Sequence, residues 1–162
     1  MGVYGTTGRI EKGYRAYGAE LDGDYDVVEA DMAPAKVKAQ DYVGKDAVLR
    51  QLAATPAVTL CTLVVDDHAS GSGQRRYMLG RQPIVLADGS TIVDAKGRRS
   101  YATSAGASPS TGKHVLLAYL PPEHAVEGHG LFVEYFAERY PVTVAVVGAR
   151  PLFDPDNLRI RA

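Results

Sequence analysis

Two apolar stretches decide the fold of this chain: residues 57–65 read AVTLCTLVV, and residues 113–122 read KHVLLAYLPP. Each run has the length of a strand, and two prolines end the second run. Short apolar runs that are bounded by turn residues are typical of strands, and the second has the character of a buried one. The sequence therefore predicts strands at 57–65 and 113–120.

Further strand-like segments lie between and after these two runs. Turn residues separate them at Asp88-Gly89, at Lys96-Gly97 and around a chain reversal at 135–139. Several short strands with turns between them are typical of an antiparallel sandwich or barrel. We therefore predict that residues 57–162 form a small antiparallel β-barrel, with additional strands at residues 82–86, 90–93, 99–104, 131–136 and 139–147.

The chain before the barrel has a different character. Residues 44–54 carry three apolar side chains on one helical face, Val48, Leu49 and Leu52. Pro56 ends this helix, because proline disfavours helical geometry in the residue before it. Residues 1–43 are rich in glycine and tyrosine and show no clean period. The predicted fold class is α+β, mainly β, with an arm or domain remnant at 1–43, a connecting helix at 44–56 and the barrel at 57–162.

Composition limits the classes of function. The 162 residues, 46% hydrophobic and 23% charged, fit one globular domain. A net charge of −1 argues against a nucleic-acid partner. The single cysteine excludes a disulfide within the chain and a cysteine-built zinc site. We also expect no membrane partner and a cytoplasmic location, because no apolar run approaches ~20 residues and no signal-peptide core is present.

One stretch approximates a phosphate-binding P-loop. Residues 107–114 read ASPSTGKH, but a P-loop needs Ser or Thr after its lysine and a helix behind it. His114 stands in that position, and a strand pattern follows. We therefore predict a hairpin connection here and no nucleotide site.

Two histidines and a thiol are weaker candidates. His124, Glu127 and His129 could bind zinc, but glycines interrupt the segment and no helix sets their spacing, which favours a solvated surface turn. Cys61 lies inside an apolar strand, where a thiol is normally an inert part of the core. We assign no metal site.

Residues 9–20 combine charge with aromatic rings. Arg9 offers a planar fork for a carboxylate or the edge of a heterocycle. Tyr17 offers a face on which a flat ring can stack. The alternative, which composition alone modestly favours, is a solvent-facing segment of a short helix.

This segment also carries a family resemblance. RIEKGYRAYGAEL (9–21) resembles the LRxExGxxxYGxE signature of the glycine cleavage T protein superfamily, the tetrahydrofolate-dependent aminomethyltransferases. That superfamily includes the C-terminal folate halves of dimethylglycine and sarcosine dehydrogenases. Four further stretches resemble family segments in the same order: VEADMAPAKVKAQDYVGKDAVLRQL (28–52), MLGRQPIVLADGS (78–90), YATSAG with KHVLLAYLP (101–106 and 113–121), and RPLFDPDNLRIRA (150–162). The first signature and the ending favour the dehydrogenase-associated branch.

The resemblance implies a fold and a function. The family fold is a three-domain ring with folate in its central hole, and this chain resembles the end of the second domain and the C-terminal barrel. The parent reaction would pass a one-carbon unit from an N-methyl amine, or its imine, to tetrahydrofolate. By matching positions, Arg9 and Tyr17 would line the folate site with Glu11 as a supporting carboxylate. Arg81 lies two residues beyond the position of a family arginine and is the fourth candidate.

Three departures from the family pattern bear on function: Gly8, Leu79 and Ser100 replace a leucine, that arginine and a glycine. The family's catalytic aspartate lies in an N-terminal domain, so we assign no catalytic residue here. No GxGxxG motif follows a strand, so we expect no flavin.

These departures leave several interpretations open. We expect a chain that is inactive alone and docks onto the family's N-terminal domains or a separately encoded subunit. The alternative to this docked assembly is a homodimer formed through the tyrosine-rich arm. The alternative function is a non-catalytic binding or assembly module that keeps the barrel. A third interpretation of the function is an independent small enzyme that uses His124 and His129.

Overall fold

The computed structural model describes residues 5–33 and 37–159. Two helices and six strands follow in chain order: α1 (Thr7–Glu11), α2 (Lys45–Ala53), β1 (Thr59–Val65), β2 (Ile84–Val85), β3 (Ala102–Ser108), β4 (Lys113–Leu120), β5 (Gly130–Tyr135) and β6 (Glu138–Val147). The mainly β fold that the sequence predicted is confirmed. In the described ranges, no helix is long and apolar enough to cross a membrane.

The six strands form one antiparallel sheet in the order β2-β5-β6-β1-β4-β3. A single bridge between Pro83 and Tyr101 brings the two edge strands together. The amide of Ile84 donates to the carbonyl of Ser100, and the amide of Ala102 donates to that of Gln82. The sheet therefore curls round to meet itself, and this short seam closes the predicted barrel.

The strand β4 is buried on both faces. Leu116, Ala118 and Leu120 point into the barrel interior, where the other five strands also contribute apolar side chains. Val115 and Tyr119 point outward into a second apolar cluster. Because successive side chains of a strand alternate between faces, a strand covered on both sides has to be apolar throughout. This explains the uninterrupted run in 113–120.

The N-terminal arm supplies the cover for the outer face. Ile10, Ala30 and Tyr25 pack with the outward side chains of β1 and β4. The ring of Tyr25 stacks on that of Tyr119 with centroids 3.7 Å apart. The arm and the barrel therefore share a core.

An ion-pair cluster ties the arm to the turn at 94–98. The buried carboxylate of Glu29 accepts hydrogen bonds from Arg98 (2.6 Å) and Lys96 (2.9 Å). Arg98 also pairs with Asp94 at 2.7 Å and lies over the ring of Tyr25. This cluster fixes residues 24–29 against the barrel.

The predicted element positions agree with the structure at most points. The helix ends before Pro56 as predicted, and β4, β5 and β6 lie within one residue of their predicted positions. The predicted strand at 90–93 is wrong, because Thr91 and Val93 make only single bridges between two closely spaced turns. The predicted strand at 99–104 corresponds to β3, which continues to Ser108 through small residues that do not resemble a strand pattern.

Candidate functional site

A buried ion pair lies where the arm meets β3. The Nη1 atom of Arg9 donates to the carboxylate of Glu20 at 2.8 Å and to the carbonyl of Tyr14 at 2.9 Å. Its Nη2 atom donates to the hydroxyl of Ser104 on β3 at 2.9 Å. Most of the donors of Arg9 are therefore already engaged within the protein.

The carboxylate of Glu20 collects donors from both parts of the molecule. It accepts hydrogen bonds from the hydroxyl of Thr103 (2.8 Å) and the amide of Ala16 (2.9 Å), besides the one from Arg9. Its side chain is completely buried, and the carbonyl of the same residue accepts the hydroxyl of Tyr119. These bonds hold residues 16–20 in one position on the barrel.

Tyr17 projects from this anchored segment into solvent. Its side chain is 93% exposed, while its backbone forms a bridge to Leu21. Gly18 next to it has φ +83°, the left-handed backbone conformation that glycine adopts without strain. A large aromatic ring is therefore presented to solvent on a backbone that the Glu20 bonds fix.

Arg81 approaches the same loop from the barrel. Its Nη2 atom donates to the carbonyl of Gly18 at 3.4 Å, and its guanidinium lies 5.7 Å from the centre of the Tyr101 ring. Its φ is +72°, a left-handed conformation that costs about 1–3 kcal/mol for a residue with a side chain and that clusters at functional sites. A cavity of about 480 Å³ lies beside it, lined also by Arg99, Tyr101 and Glu134.

Glu11 lies elsewhere, at the opposite end of β3. Its carboxylate accepts hydrogen bonds from the hydroxyl of Ser108 (3.0 Å) and from the amide (2.8 Å) and hydroxyl (2.9 Å) of Ser110. It therefore holds the β3–β4 turn to α1. Of the four residues that the sequence singled out, the structure joins Arg9, Tyr17 and Arg81 to one surface segment, residues 14–20, and places Glu11 apart.

Sequence reasoning missed the residues that organise this surface. Glu20, Thr103 and Ser104 form its buried frame. Glu20 lies in the segment that drew attention to Arg9 and Tyr17, three residues beyond Tyr17. The partners on β3 are about 95 residues from Arg9 in sequence, and only the closed barrel brings them together.

The two histidines of the possible zinc site do contact each other. Nδ1 of His124 lies 3.3 Å from Nε2 of His129. Glu127, the third predicted ligand, pairs instead with Arg150 at 2.7 Å. Within 5–33 and 37–159, no group of three or more His, Cys, Asp and Glu side chains could hold a metal ion.

The P-loop-like stretch and Cys61 both lie within the strands and turns of the sheet. Residues 109–112 connect β3 to β4 as a hairpin, which confirms the prediction for the P-loop-like stretch. Cys61 is fully buried in the barrel core, and burial raises the pKa of its thiol to about 12. The P-loop-like stretch is thus a turn between two strands of the sheet, and Cys61 is part of the core.

Comparison with known proteins gives concordant matches. An aminomethyltransferase from Corynebacterium aurimucosum is 32% identical over 151 residues, covering 92% of this chain and 36% of the relative. The mitochondrial dimethylglycine dehydrogenase of Rattus norvegicus is 30% identical over 142 residues, covering 84% of this chain and 14% of that protein. The chain thus spans about a third and a seventh of these relatives.

A solved structure and a family model agree with these relatives. The crystal structure of glycine cleavage system aminomethyltransferase T from Bartonella henselae superposes with a TM-score of 0.69 at 23% identity, covering 91% of this chain and 37% of that one. At 23% identity, this structural similarity shows that the two proteins share a fold. The model of the glycine cleavage T-protein C-terminal barrel domain matches residues 60–154. This chain belongs to the glycine cleavage T-protein C-terminal barrel domain family.

Proposed function

We propose that this chain supplies one wall of a tetrahydrofolate site in a protein that transfers a one-carbon unit from an N-methyl amine to tetrahydrofolate. The observation that carries the proposal is the ring of Tyr17, which is almost fully exposed on a backbone held by buried hydrogen bonds, next to Gly18, whose carbonyl accepts a hydrogen bond from Arg81. A flat, polar heterocycle with an anionic tail matches an aromatic face next to a cation.

The residues fit such a group with different roles. Tyr17 would stack on a flat ring of the folate, and Arg81 would donate hydrogen bonds to a polar or anionic part of it. Arg9 acts as a positioning residue, because Glu20, Ser104 and Tyr14 already use most of its donors. Tetrahydrofolate, when bound, would accept the one-carbon unit. The reacting carboxylate would come from the remainder of such a protein, so we expect no turnover from this chain alone.

Isothermal titration with 5-formyltetrahydrofolate tests the folate proposal. We expect Tyr17→Ala to weaken binding about tenfold, the order of an aromatic stacking contribution of 1–1.5 kcal/mol. Tyr42→Ala is the matched control, since Tyr42 is also exposed but lies beside α2. Absence of binding to the unmodified chain, or equal loss in both variants, would refute the proposal.

A specific observation also favours an assembly role. None of the residues of α2 is buried: Leu49 and Leu52 of its apolar face are exposed, and Val48 is half-buried. Beside this face lies a groove of about 630 Å³ with Val27, Met32 and Tyr42 in its lining. Exposed apolar surface of this kind is typical of an interaction site.

We propose that the part of an aminomethyltransferase corresponding to the other two thirds of the Corynebacterium relative covers this face, on the same or a separate chain. The test is co-purification of this chain with that portion of the relative, compared with a Leu52→Lys variant. Binding that the variant abolishes supports the proposal. Sedimentation that shows a dimer dissociated by Leu52→Lys would assign the face to a second copy instead.

A further inference from the structure

The connection between β4 and β5, residues 121–129, crosses one end of the barrel. These two strands are not neighbours in the sheet, because β1 and β6 lie between them. Ala125 in the crossing loop packs against the barrel core. The loop carries His124 and His129, two of the four histidines in the chain. The proposed folate site uses neither of them.

Backbone hydrogen bonds fix both histidines in this loop. The amide of His124 donates to the carbonyl of Pro121 at 2.9 Å, and the amide of Val144 on β6 donates to the carbonyl of His129 at 3.0 Å. The amide of Gly128 donates to the carbonyl of Val144 at 2.8 Å. The loop therefore holds the two imidazoles together before any ligand binds, which lowers the ordering cost of binding.

The facing nitrogens of the two rings are at a distance that suits one shared ion. Nδ1 of His124 lies 3.3 Å from Nε2 of His129, and the ring centres are 5.4 Å apart. A hydrogen bond from a nitrogen donor is usually shorter, roughly 2.7–3.2 Å. Zinc bonds imidazole nitrogens at about 2.0–2.1 Å, so two nitrogens of a tetrahedral site lie about 3.3–3.4 Å apart.

The same distance distinguishes between metal ions. At equal bond lengths, adjacent nitrogens of a square-planar site lie about 2.8–3.0 Å apart, and this geometry is typical of Cu(II) and Ni(II). The observed 3.3 Å agrees better with the tetrahedral arrangement that zinc prefers. The geometry therefore favours Zn²⁺.

The surroundings of the pair admit a cation from solvent. Both histidines are half-buried, and Glu123 beside them is exposed. The carboxylate of Glu127 pairs with Arg150 at 2.7 Å, so the charge of that arginine is compensated. Neutral imidazole is the commonest metal ligand in proteins. An ion at this position meets two imidazoles and a carboxylate in the same loop.

We propose that His124 and His129 together bind one Zn²⁺ ion, with water in its other positions. Within residues 5–33 and 37–159, no set of three or more His, Cys, Asp and Glu side chains could hold a metal ion. The described part of the chain thus supplies two of four ligands.

Binding needs a change of tautomer in one ring. In the free pair, the hydrogen between the rings lies on one of the two facing nitrogens. Both of these nitrogens must present a lone pair to the ion, so that hydrogen moves to the outer nitrogen of its own ring by exchange with solvent. Two Zn–N bonds form, water leaves the ion, and the imidazoles release no proton overall.

Imidazole NMR of the unmodified full chain, titrated with zinc chloride, is the first test. We expect Zn²⁺ to shift the ring signals of His124 and His129 and to leave those of His68 and His114 unchanged. The melting temperature should rise with the zinc concentration and return on addition of a chelator, because an ion that binds only the folded chain stabilises it. These measurements need no variant.

Variants then locate the site by isothermal titration with zinc chloride. His129→Ala removes one of the two ligands and should weaken binding at least about tenfold, since even outer-shell partners of a metal site contribute about 10–100-fold. His68→Ala is the matched control, because it also removes a half-buried histidine but lies in the loop between β1 and β2. It should leave the zinc affinity and the rise in melting temperature unchanged. Far-ultraviolet circular dichroism checks that each variant is folded.

Three results would each overturn the proposal. The first is a titration in which zinc shifts neither His124 nor His129, or shifts His68 and His114 instead. The second is equal weakening by His129→Ala and His68→Ala, which would show unspecific binding to histidine. The third is binding of Cu²⁺ but not Zn²⁺ by the pair, which would mean that the site is not tetrahedral.

Discussion

At the scale of single residues, the carboxylate of Glu20 joins the arm to the barrel. It is completely buried and accepts hydrogen bonds from Arg9, Ala16 and Thr103. Removing one partner of a buried ion pair leaves an uncompensated charge behind, which is more destabilising than the pair is stabilising. Arg9 and Glu20 should therefore behave as one unit in mutagenesis.

We predict that Glu20→Ala lowers the free energy of unfolding by about 3–5 kcal/mol, because the Arg9 guanidinium loses its buried counter-ion. Urea denaturation followed by far-ultraviolet circular dichroism measures the change. Glu123→Ala, in an exposed loop, is the control and should stay within about 0.5 kcal/mol of the parent. A loss below about 1 kcal/mol in Glu20→Ala would show that the pair contributes little.

The second residue-scale prediction concerns acid. Burial by itself would raise the pKa of Glu29, but hydrogen bonds from Arg98, Lys96 and the amide of Asp26 outweigh it and hold the pKa below its ordinary value of 4.5. A depressed pKa in the folded state contributes stability that is fully present above the unfolded pKa. That stability is lost as the pH falls through the folded pKa.

The free energy of unfolding should therefore fall as the pH drops below about 4.5. Arg98→Met removes the main partner of Glu29 and should reduce that fall, which urea denaturation at neutral and acid pH measures. Arg75→Met, at an exposed position in the loop between β1 and β2, should leave the slope unchanged. An identical pH dependence in all three proteins would exclude the Glu29 cluster as its source.

At the scale of elements, β4 and α2 carry similar apolar side chains in opposite surroundings. Leu117 on β4 is buried in the outer cluster, whereas Leu52 on α2 is exposed. The sequence pattern places both leucines on an apolar strand or helix face. Only tertiary packing separates them.

The same substitution should thus give different results in the two elements. Leu117→Ala is expected to destabilise the chain by about 2–5 kcal/mol through the cavity that it leaves. Leu52→Ala is expected to change stability by less than about 0.5 kcal/mol. Thermal and urea denaturation of both variants provide the measurement. Comparable losses would mean that α2 packs on the barrel in solution.

The extent of β3 shows why sequence reasoning stopped short. The segment AGAS is built of small residues, which strand propensity does not favour. In the folded protein these small residues give α1 room, since a side chain at Gly106 would meet Ile10 at 3.2 Å. Local pattern predicted the strands that carry large apolar side chains. It did not predict a strand whose shape is set by the helix packed upon it.

The candidate site was predictable to a similar degree. Residues 9–20 stood out because charges and rings crowd together there, and Arg9 does bond to the segment that carries Tyr17. The frame behind them depends on Thr103 and Ser104, which ordinary strand composition does not distinguish from other hydroxyl residues. Placing them next to Arg9 requires the closed barrel.

At the scale of the whole molecule, the arm shares an apolar cluster with the outer face of the barrel. Residues 5–33 cover the outward side chains of β1 and β4, which would otherwise be exposed as a continuous apolar surface. Although sequence composition marks residues 1–43 as a separate segment, the described part of it does not fold apart from the barrel.

We therefore predict that deleting residues 1–33 loosens the barrel. Cys61 reports this, because its thiol is buried in the core with a raised pKa and reacts only when the core opens. Modification by a disulfide reagent should be slow in the full chain and fast in the shortened one, with the urea-unfolded chain as the reference for full reactivity. Equal protection in both would show that the barrel is stable without its arm.

The joins on either side of β2 are the shortest in the barrel. β2 pairs with β5 over two residue pairs and meets β3 near a single bridge, whereas the other strand pairs are joined by ladders of five or six residue pairs. The seam at Pro83 and Tyr101 is therefore one of two places where few hydrogen bonds hold the ring closed. Arg81 lies on one side of this join and Tyr101 on the other. A ligand that contacts both residues would stabilise the closed barrel. By the same linkage, a variant that destabilises the closed barrel would weaken ligand binding by the same free energy.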